Sequence, residues 1–310
     1  MSIFWRQKVL LVKTEATYGT DPTPTGAANA IQAIDMKLMP MEGRDQSREL
    51  DLPNMGAQST IPLDLHSKVT FKVELQASGT AGTAPAWGPL LRACACAQTI
   101  VAVTSVTYNP VSSAHESATI YFYIGQTLYK ILGARGTAKM TFNAQGIAYL
   151  EFEFTGLFTL AAEGTRPTPV LTAFQNPLAV TNANTPVFTI NAVTMVMRSF
   201  ALTLGNEIVP RFLIGSHQVL ITDRAEMIEM TVEAEPLSTL NPYTLAANQT
   251  KVPVVLNHGT VAGARVKLNA PLCQIQRPSG VDNSQGIAEW PLRAVPIQNA
   301  GNDQWTLVLD

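Results

Sequence analysis

Charge is what this 310-residue chain has least of: Asp, Glu, Lys and Arg make up 14% of it, against roughly 25% in a typical soluble domain. Hydrophobic residues, at 46%, are at an ordinary level, so neutral Thr, Asn, Gln and Ser fill the gap. That mix excludes a disordered tail, which combines low hydrophobicity with high net charge. It also argues against a helical bundle, whose exposed faces are rich in Glu and Lys. A net charge of −2 creates no basic field that would gather nucleic acid. A charge-poor surface suits a free monomer badly, and it points to a surface covered by partners in the working state.

Cysteine is scarce as well. Cys94, Cys96 and Cys273 cannot build a disulfide framework, and the expectation is reduced thiols in a chain made in the cytoplasm. No run of about 18 apolar residues occurs, so no membrane-spanning helix is expected. The opening Met1–Val12 mixes charges into a short apolar run and does not read as a signal peptide.

Recognisable chemistry is missing too. There is no phosphate loop, no Gly-x-Gly-x-x-Gly and no Gly-x-Ser-x-Gly. His66, His115, His217 and His258 are scattered and form no His-x-x-x-His pair. Cys94-Ala-Cys96 lacks the further ligands a tetrahedral zinc site needs and reads as buried thiols. Asn248-Gln-Thr fits the glycosylation pattern, which has meaning only in a secreted chain. Glu151, Glu153, Glu229 and Glu233 alternate along strands, where any i, i+2 pair meets the spacing of a glycosidase dyad, so they read as a solvated face. The expectation is no catalytic, metal or cofactor site, and no enzyme. A β-rich hydrolase would need a His- or carboxylate-centred site that the sequence does not offer. Aromatics are 7%, with Trp5, Trp87, Trp290 and Trp305 dispersed. That weakens the main alternative function, a two-domain β-sandwich module binding carbohydrate or a cell surface.

What the chain does have is period-two alternation, the mark of half-buried strands. Val69, Phe71, Val73 and Leu75 oppose Lys68, Thr70, Lys72, Glu74 and Gln76. Leu150, Phe152 and Phe154 oppose Tyr149, Glu151, Glu153 and Thr155, and Ile228, Met230 and Val232 oppose Met227, Glu229, Thr231 and Glu233. Shorter strands are expected at 31–38, 105–108, 118–124, 138–143, 188–197, 252–256 and 305–309. One helix is expected, Ala86–Ala97, with Trp87, Leu90, Leu91 and Cys94 on one face.

Length suggests about two domains of roughly 150 residues each. A Pro/Thr/Asn-rich stretch, 163–185, reads as a linker between domains 1–162 and 186–310. The halves share a weak repeat. At an offset of 159, Ile31, Ala33, Met36, Gly56, Asp64, Val73 and Glu74 recur as Ile190, Ala192, Met195, Gly215, Asp223, Val232 and Glu233. Gly146-Ile-Ala recurs as Gly286-Ile-Ala at a shorter offset. A duplicated β-domain can occupy pseudo-equivalent places in a symmetric ring.

Two connections stand out. Met41–Ser59 is longer than a hairpin loop and holds Glu42, Arg44, Asp45, Arg48, Glu49 and Asp51. Alternating charge of this kind suits docking against a neighbour. Its counterpart, Leu204–Gly215, carries Arg211 and Phe212 in an apolar run that needs covering.

The phrase Val-Lys-Thr-Glu-Ala-Thr-Tyr-Gly-Thr-Asp-Pro-Thr-Pro-Thr-Gly-Ala-Ala-Asn-Ala-Ile, Val12–Ile31, resembles the N-terminal stretch of tail tube proteins (major tail proteins) of long, flexible-tailed, siphovirus-type bacteriophages. The order that follows is also similar: strand, long loop, long strand, and a helix near Trp87. The resemblance covers the first half and reaches the second through the repeat. It implies an all-β fold with one short flanking helix, in two tandem tube-like β-sandwich domains, with residues 1–30 as an N-terminal arm and 41–59 as a stacking loop. Six such domains would join their inner sheets into one β-barrel, so three chains would form a pseudo-hexameric ring. Rings would stack helically, through Glu42, Arg44, Asp45, Arg48, Glu49, Asp51, Arg211 and Phe212, into a virion tube that conducts DNA during ejection. Lys72, Glu74, Glu151, Glu153, Glu229 and Glu233 would face a lumen of net negative potential, which lets double-stranded DNA pass without specific binding. The partners implied are further copies of the chain, a tape measure protein in the lumen, and tail terminator and distal tail proteins at the tube ends. No cofactor and no membrane are implied, and assembly would take place in the bacterial cytoplasm.

Overall fold

The computed structural model describes residues 3–310, and these described residues are nearly all β, with two short helices. One sheet runs through both halves of the sequence. Its order is Ile34–Ser47, Thr60–Glu74, Tyr149–Leu157, Thr127–Asn143, Met197–Thr203, Met227–Glu233, Ile287–Pro296 and Asp282–Ser284, every neighbouring pair antiparallel. The alternation read from the sequence sets its two faces. Val69, Phe71, Val73, Leu150, Phe152, Phe154, Ile228, Met230 and Val232 are all buried on one side. The rings of Phe71, Phe152 and Phe154 lie 5.6–5.9 Å apart between centroids, contacts that add about 0.5–1.5 kcal/mol per pair beyond simple burial. Within the chain the sheet does not close into a barrel.

The apolar face packs against a second layer. In the first half this layer is Ala30–Ile31, Lys8–Thr14 and Ala118–Ile124, continued by the start of Thr127–Asn143 and by Ala162–Glu163. In the second half it is Val193–Thr194, Val187–Ile190, Lys251–His258, Val266–Ile275 and Thr306–Leu309. Thr127–Asn143 serves both layers, bending at a register shift between Leu132 and Arg135. Gly133 sits in that bend at φ +57°, where a Cβ would lie 2.6 Å from the Tyr18 ring, so both backbone and space require glycine.

Strand pairing corresponds between the halves residue by residue. Val73 faces Leu150, and 159 and 140 residues later Val232 faces Trp290; Val69 with Phe154 likewise becomes Ile228 with Ala294. Leu38 opposite Val69 becomes Leu202 opposite Ile228. The single offset read from the sequence therefore fails before the second strand: Met36 falls on Phe200, not Met195, because the intervening connections differ in length. The hairpin Cys96–Val101/Ser105–Pro110 has no counterpart, and it extends the second half's outer layer by pairing with Thr306–Leu309.

Three expectations are corrected. The first helix is only Gly88–Arg92, because Ala95 turns at φ +57° and Cys96 already begins a strand. Trp87, Leu90, Leu91 and Cys94 are buried as expected. A second helix, Pro242–Ala247, follows Met227–Glu233 as the first follows Thr60–Glu74. Asn241 caps it by accepting from the Thr244 amide at 3.0 Å. Finally, Met41–Ser59 is not one loop. Strand pairing runs out to Ser47 and resumes at Thr60, so only residues 48–59 connect.

Candidate functional site: a polar sheet face and two hairpin arms

Lys72, Glu74, Glu151, Glu153, Glu229 and Glu233 come together on the polar face of the eight-stranded sheet. Lys72 stands opposite Glu151, Thr70 opposite Glu153, and Ala201 opposite Glu229, which in turn faces Arg293. The rows continue across the boundary between halves, where Lys139 pairs with Thr203 and Thr141 with Ala201. Sequence reading passed over Lys139, although it lies within the expected strand 138–143, and over Arg293, whose strand was not expected at all. Both show the same alternation, Lys139 between Ala138 and Met140, and Arg293 between Leu292 and Ala294.

The face carries charge of both signs. Lys37, Lys68, Lys72, Lys139 and Arg293 stand among Asp35, Glu74, Glu151, Glu153, Glu229 and Glu233, with Glu289 and Asp282 toward the far edge. Ion pairs hold much of this charge: Lys72 to Glu151 at 3.1 Å, Lys139 to Glu229 at 3.8 Å, and Arg293 to Glu229 at 2.9 Å. Glu151 raises the Lys72 pKa through its hydrogen bond and its charge. Each exposed pair stabilises the fold by only about 0.2–1 kcal/mol, so its main effect is to fill the coordination of each cation. At the rim, Arg198 donates to Glu289 at 2.7 and 2.8 Å and holds that carboxyl below its usual range.

Two hairpins leave this sheet. In the first, Glu42, Arg44 and Asp45 lie on paired strand, with Arg44 donating to Asp64 at 2.6 Å. Arg48, Glu49 and Asp51 lie in the exposed tip. The tip is closed by the Gln58 side chain, which accepts from the Leu50 amide at 2.7 Å, and it presents Leu50, Leu52 and a fully exposed Met55. In the second hairpin, Asn206–Leu213 pairs with Ser216–Arg224, so Arg211 and Phe212 are strand residues as well. Arg211 is exposed, whereas the Phe212 ring lies 5.3 Å from His217 and 6.4 Å from His66 of the first half. This hairpin leans on the first half. The Arg135 guanidinium donates to the Val219 carbonyl at 2.9 Å, and the Val219 amide donates to the Tyr18 hydroxyl at 2.6 Å. Its tip residue Ile214 is fully exposed.

Trp87, Trp290 and Trp305 are buried, so they supply no aromatic platform for a sugar. Among the described residues no helix is long and apolar enough to cross a membrane, which says nothing of strands.

No curated protein matches the chain. A family profile described as phage tail tube protein matches residues 5–294. That span includes the through-running sheet, all but the last two residues of Ile287–Pro296, with both hairpins and both helices, and on it the chain belongs to the phage tail tube protein family, a structural constituent of the virion tail.

Proposed function

We propose that this chain is the repeating subunit of the tail tube of a siphovirus-type phage, a structural protein with no enzymatic role. It carries two copies of one tube unit, so that three chains make a pseudo-hexameric ring. The observation that carries this reading is the single sheet crossing both halves, with matched pairing on either side of the crossing. A chain that already joins two units through their sheets holds a template for joining further units in the same way, and ring closure removes the exposed strand edges.

In this reading the polar face lines the lumen. Cations already paired with Glu151 and Glu229 do not replace the counterions of passing DNA, so the duplex moves without being held. The two exposed hairpin tips, around Met55 and Ile214, carry ring-to-ring stacking. A tape measure protein in the lumen, and terminator and distal tail proteins at the tube ends, complete the set of partners.

Electron microscopy of negatively stained protein at rising concentration tests the proposal. Rings or tubes are expected, with native mass spectrometry giving three chains per ring. Protein that stays monomeric at high concentration would overturn it.

A further inference from the structure

The first and last strands of the through-running sheet are the edges that a second molecule would meet. Ile34–Ser47 pairs only with Thr60–Glu74, and Asp282–Ser284 only with Ile287–Pro296, among the described residues. On the first edge, Lys8 Nζ donates to the Met36 carbonyl at 3.1 Å, so an ammonium occupies one acceptor that a neighbouring strand would otherwise use. On the second, Val281 is 54% exposed although its side chain is apolar.

The joint inside the chain shows how two such edges fit. There Thr127–Asn143 meets Met197–Thr203 with Asn143 opposite Ser199, Thr141 opposite Ala201 and Lys139 opposite Thr203. Each side of this joint has a counterpart at a free edge, located by what the strands pair with. Lys37 and Leu38 face Thr70 and Val69 as Ala201 and Leu202 face Glu229 and Ile228. Asp282 faces Glu289 as Thr141 faces Tyr149. Val281 then stands for Met140, and Asn283 for Phe142.

From this correspondence we infer that the Ile34–Ser47 edge of one chain pairs antiparallel with the 280–284 edge of a second copy. In the inferred register Lys37 lies opposite Asp282, Leu38 opposite Val281 and Met36 opposite Asn283. The inference rests on reading the chain as a ring-forming tube subunit and adds to it a defined interface. Side-chain chemistry agrees with the register at two of these three positions. Lys37 and Asp282 are opposite charges on the polar face, directly across from one another. Leu38 and Val281 share the apolar face, as Leu202 and Met140 do in the internal joint, where both are buried. A slip by one residue would set Lys37, from the polar face, against Val281, from the apolar face.

Cysteine pairing reads the register directly, because a disulfide needs Cβ atoms about 3.5–4.5 Å apart, whereas diagonal neighbours stand about 7–8 Å apart. A chain carrying Lys37→Cys and Asp282→Cys should, when assembled and oxidised, give a covalent ladder in denaturing gels that ends at the ring. The companion carrying Lys37→Cys and Ser284→Cys should give little. As a second measurement, Lys37→Glu should weaken assembly and Asp282→Lys in the same chain should restore it. If rings form but the Ser284 pair links and the Asp282 pair does not, the register is overturned while the ring reading stands. If neither pair links and no rings form, both fall.

Discussion

The Asn206 side chain donates to the carbonyl oxygens of Cys94 and Gly136, at 2.8 and 2.9 Å. With this one amide the second hairpin is fastened to the turn after the first helix and to the strand shared by both layers. Asn206 is buried, and so are its contacts. Asn206→Ala leaves two carbonyls without their donor, at a cost of about 1–3 kcal/mol. The expected result is a lower urea midpoint with an unchanged slope; a midpoint equal to the parent's would show that the hairpin is held elsewhere.

Trp87 is fully buried, packs against Tyr108 with centroids 5.6 Å apart, and donates its indole N–H to the Gln76 carbonyl at 2.8 Å. Trp87→Ala should destabilise the fold by about 3–5 kcal/mol. Trp87→Phe should lose less, since it keeps most of the volume and forfeits the hydrogen bond. Calorimetry of the two variants checks the order.

Glu226 is buried beside a polar pocket of about 310 Å³ that His115, Asp223 and Gln304 also line. Burial holds its carboxyl above the usual range, and Arg224, 3.7 Å away, offsets this only in part. The folded chain therefore keeps this proton to higher pH than the unfolded chain does. Its contribution to stability is fully present below the unfolded pKa and is lost as pH rises through the folded one. Glu226→Gln should gain on the parent as pH rises from the ordinary Glu range toward neutrality. Urea midpoints compared at about pH 4 and pH 7 decide it, and a constant difference between the two proteins would contradict it.

All three thiols are buried, and burial pushes Cys96 and Cys273 up to about 12 and Cys94 well above its ordinary value. With so little thiolate available, the native protein should react with a thiol reagent slowly and release all three groups promptly in denaturant. Fast labelling of the folded chain would mean that the core opens locally.

Removing Leu50–Ala57 trims the exposed tip of the first hairpin and leaves the paired strands intact. Rings should persist and stacking should fail, visible by microscopy as single rings in place of tubes. Tubes formed by the trimmed chain would reassign the stacking contact.

Met227–Glu233, with unbroken alternation, and Ala118–Ile124, buried along both faces, have the bounds expected from the sequence. Ile287–Pro296 was hidden by Pro291 and Pro296, which ordinarily argue against a strand. Val266–Ile275 was hidden by Pro271 in the same way. The Asn241-Pro242 start of the second helix was a readable signal, an N-cap followed by proline at the first helical position. The face that gathers Lys72, Glu151 and Glu229 could be anticipated because alternation fixes sidedness. Its mixture of charge could not, because Lys139 and Arg293 reach Glu229 only through pairing between strands distant in sequence. Length alone suggested that the hairpins were loops, but Gln46 opposite Ile61 and Phe212 opposite His217 show that paired strands can extend far from a core.

The joint between Thr127–Asn143 and Met197–Thr203 is made by a chain with itself, so its strands meet at a local concentration fixed by the connecting chain, whatever the concentration of protein. In the proposed ring every second joint is of this kind. Dilution then acts only on the alternate joints, and nucleating a ring is a lower-order reaction than it would be for a chain carrying one unit. A long tube built from such subunits can start at lower subunit concentration.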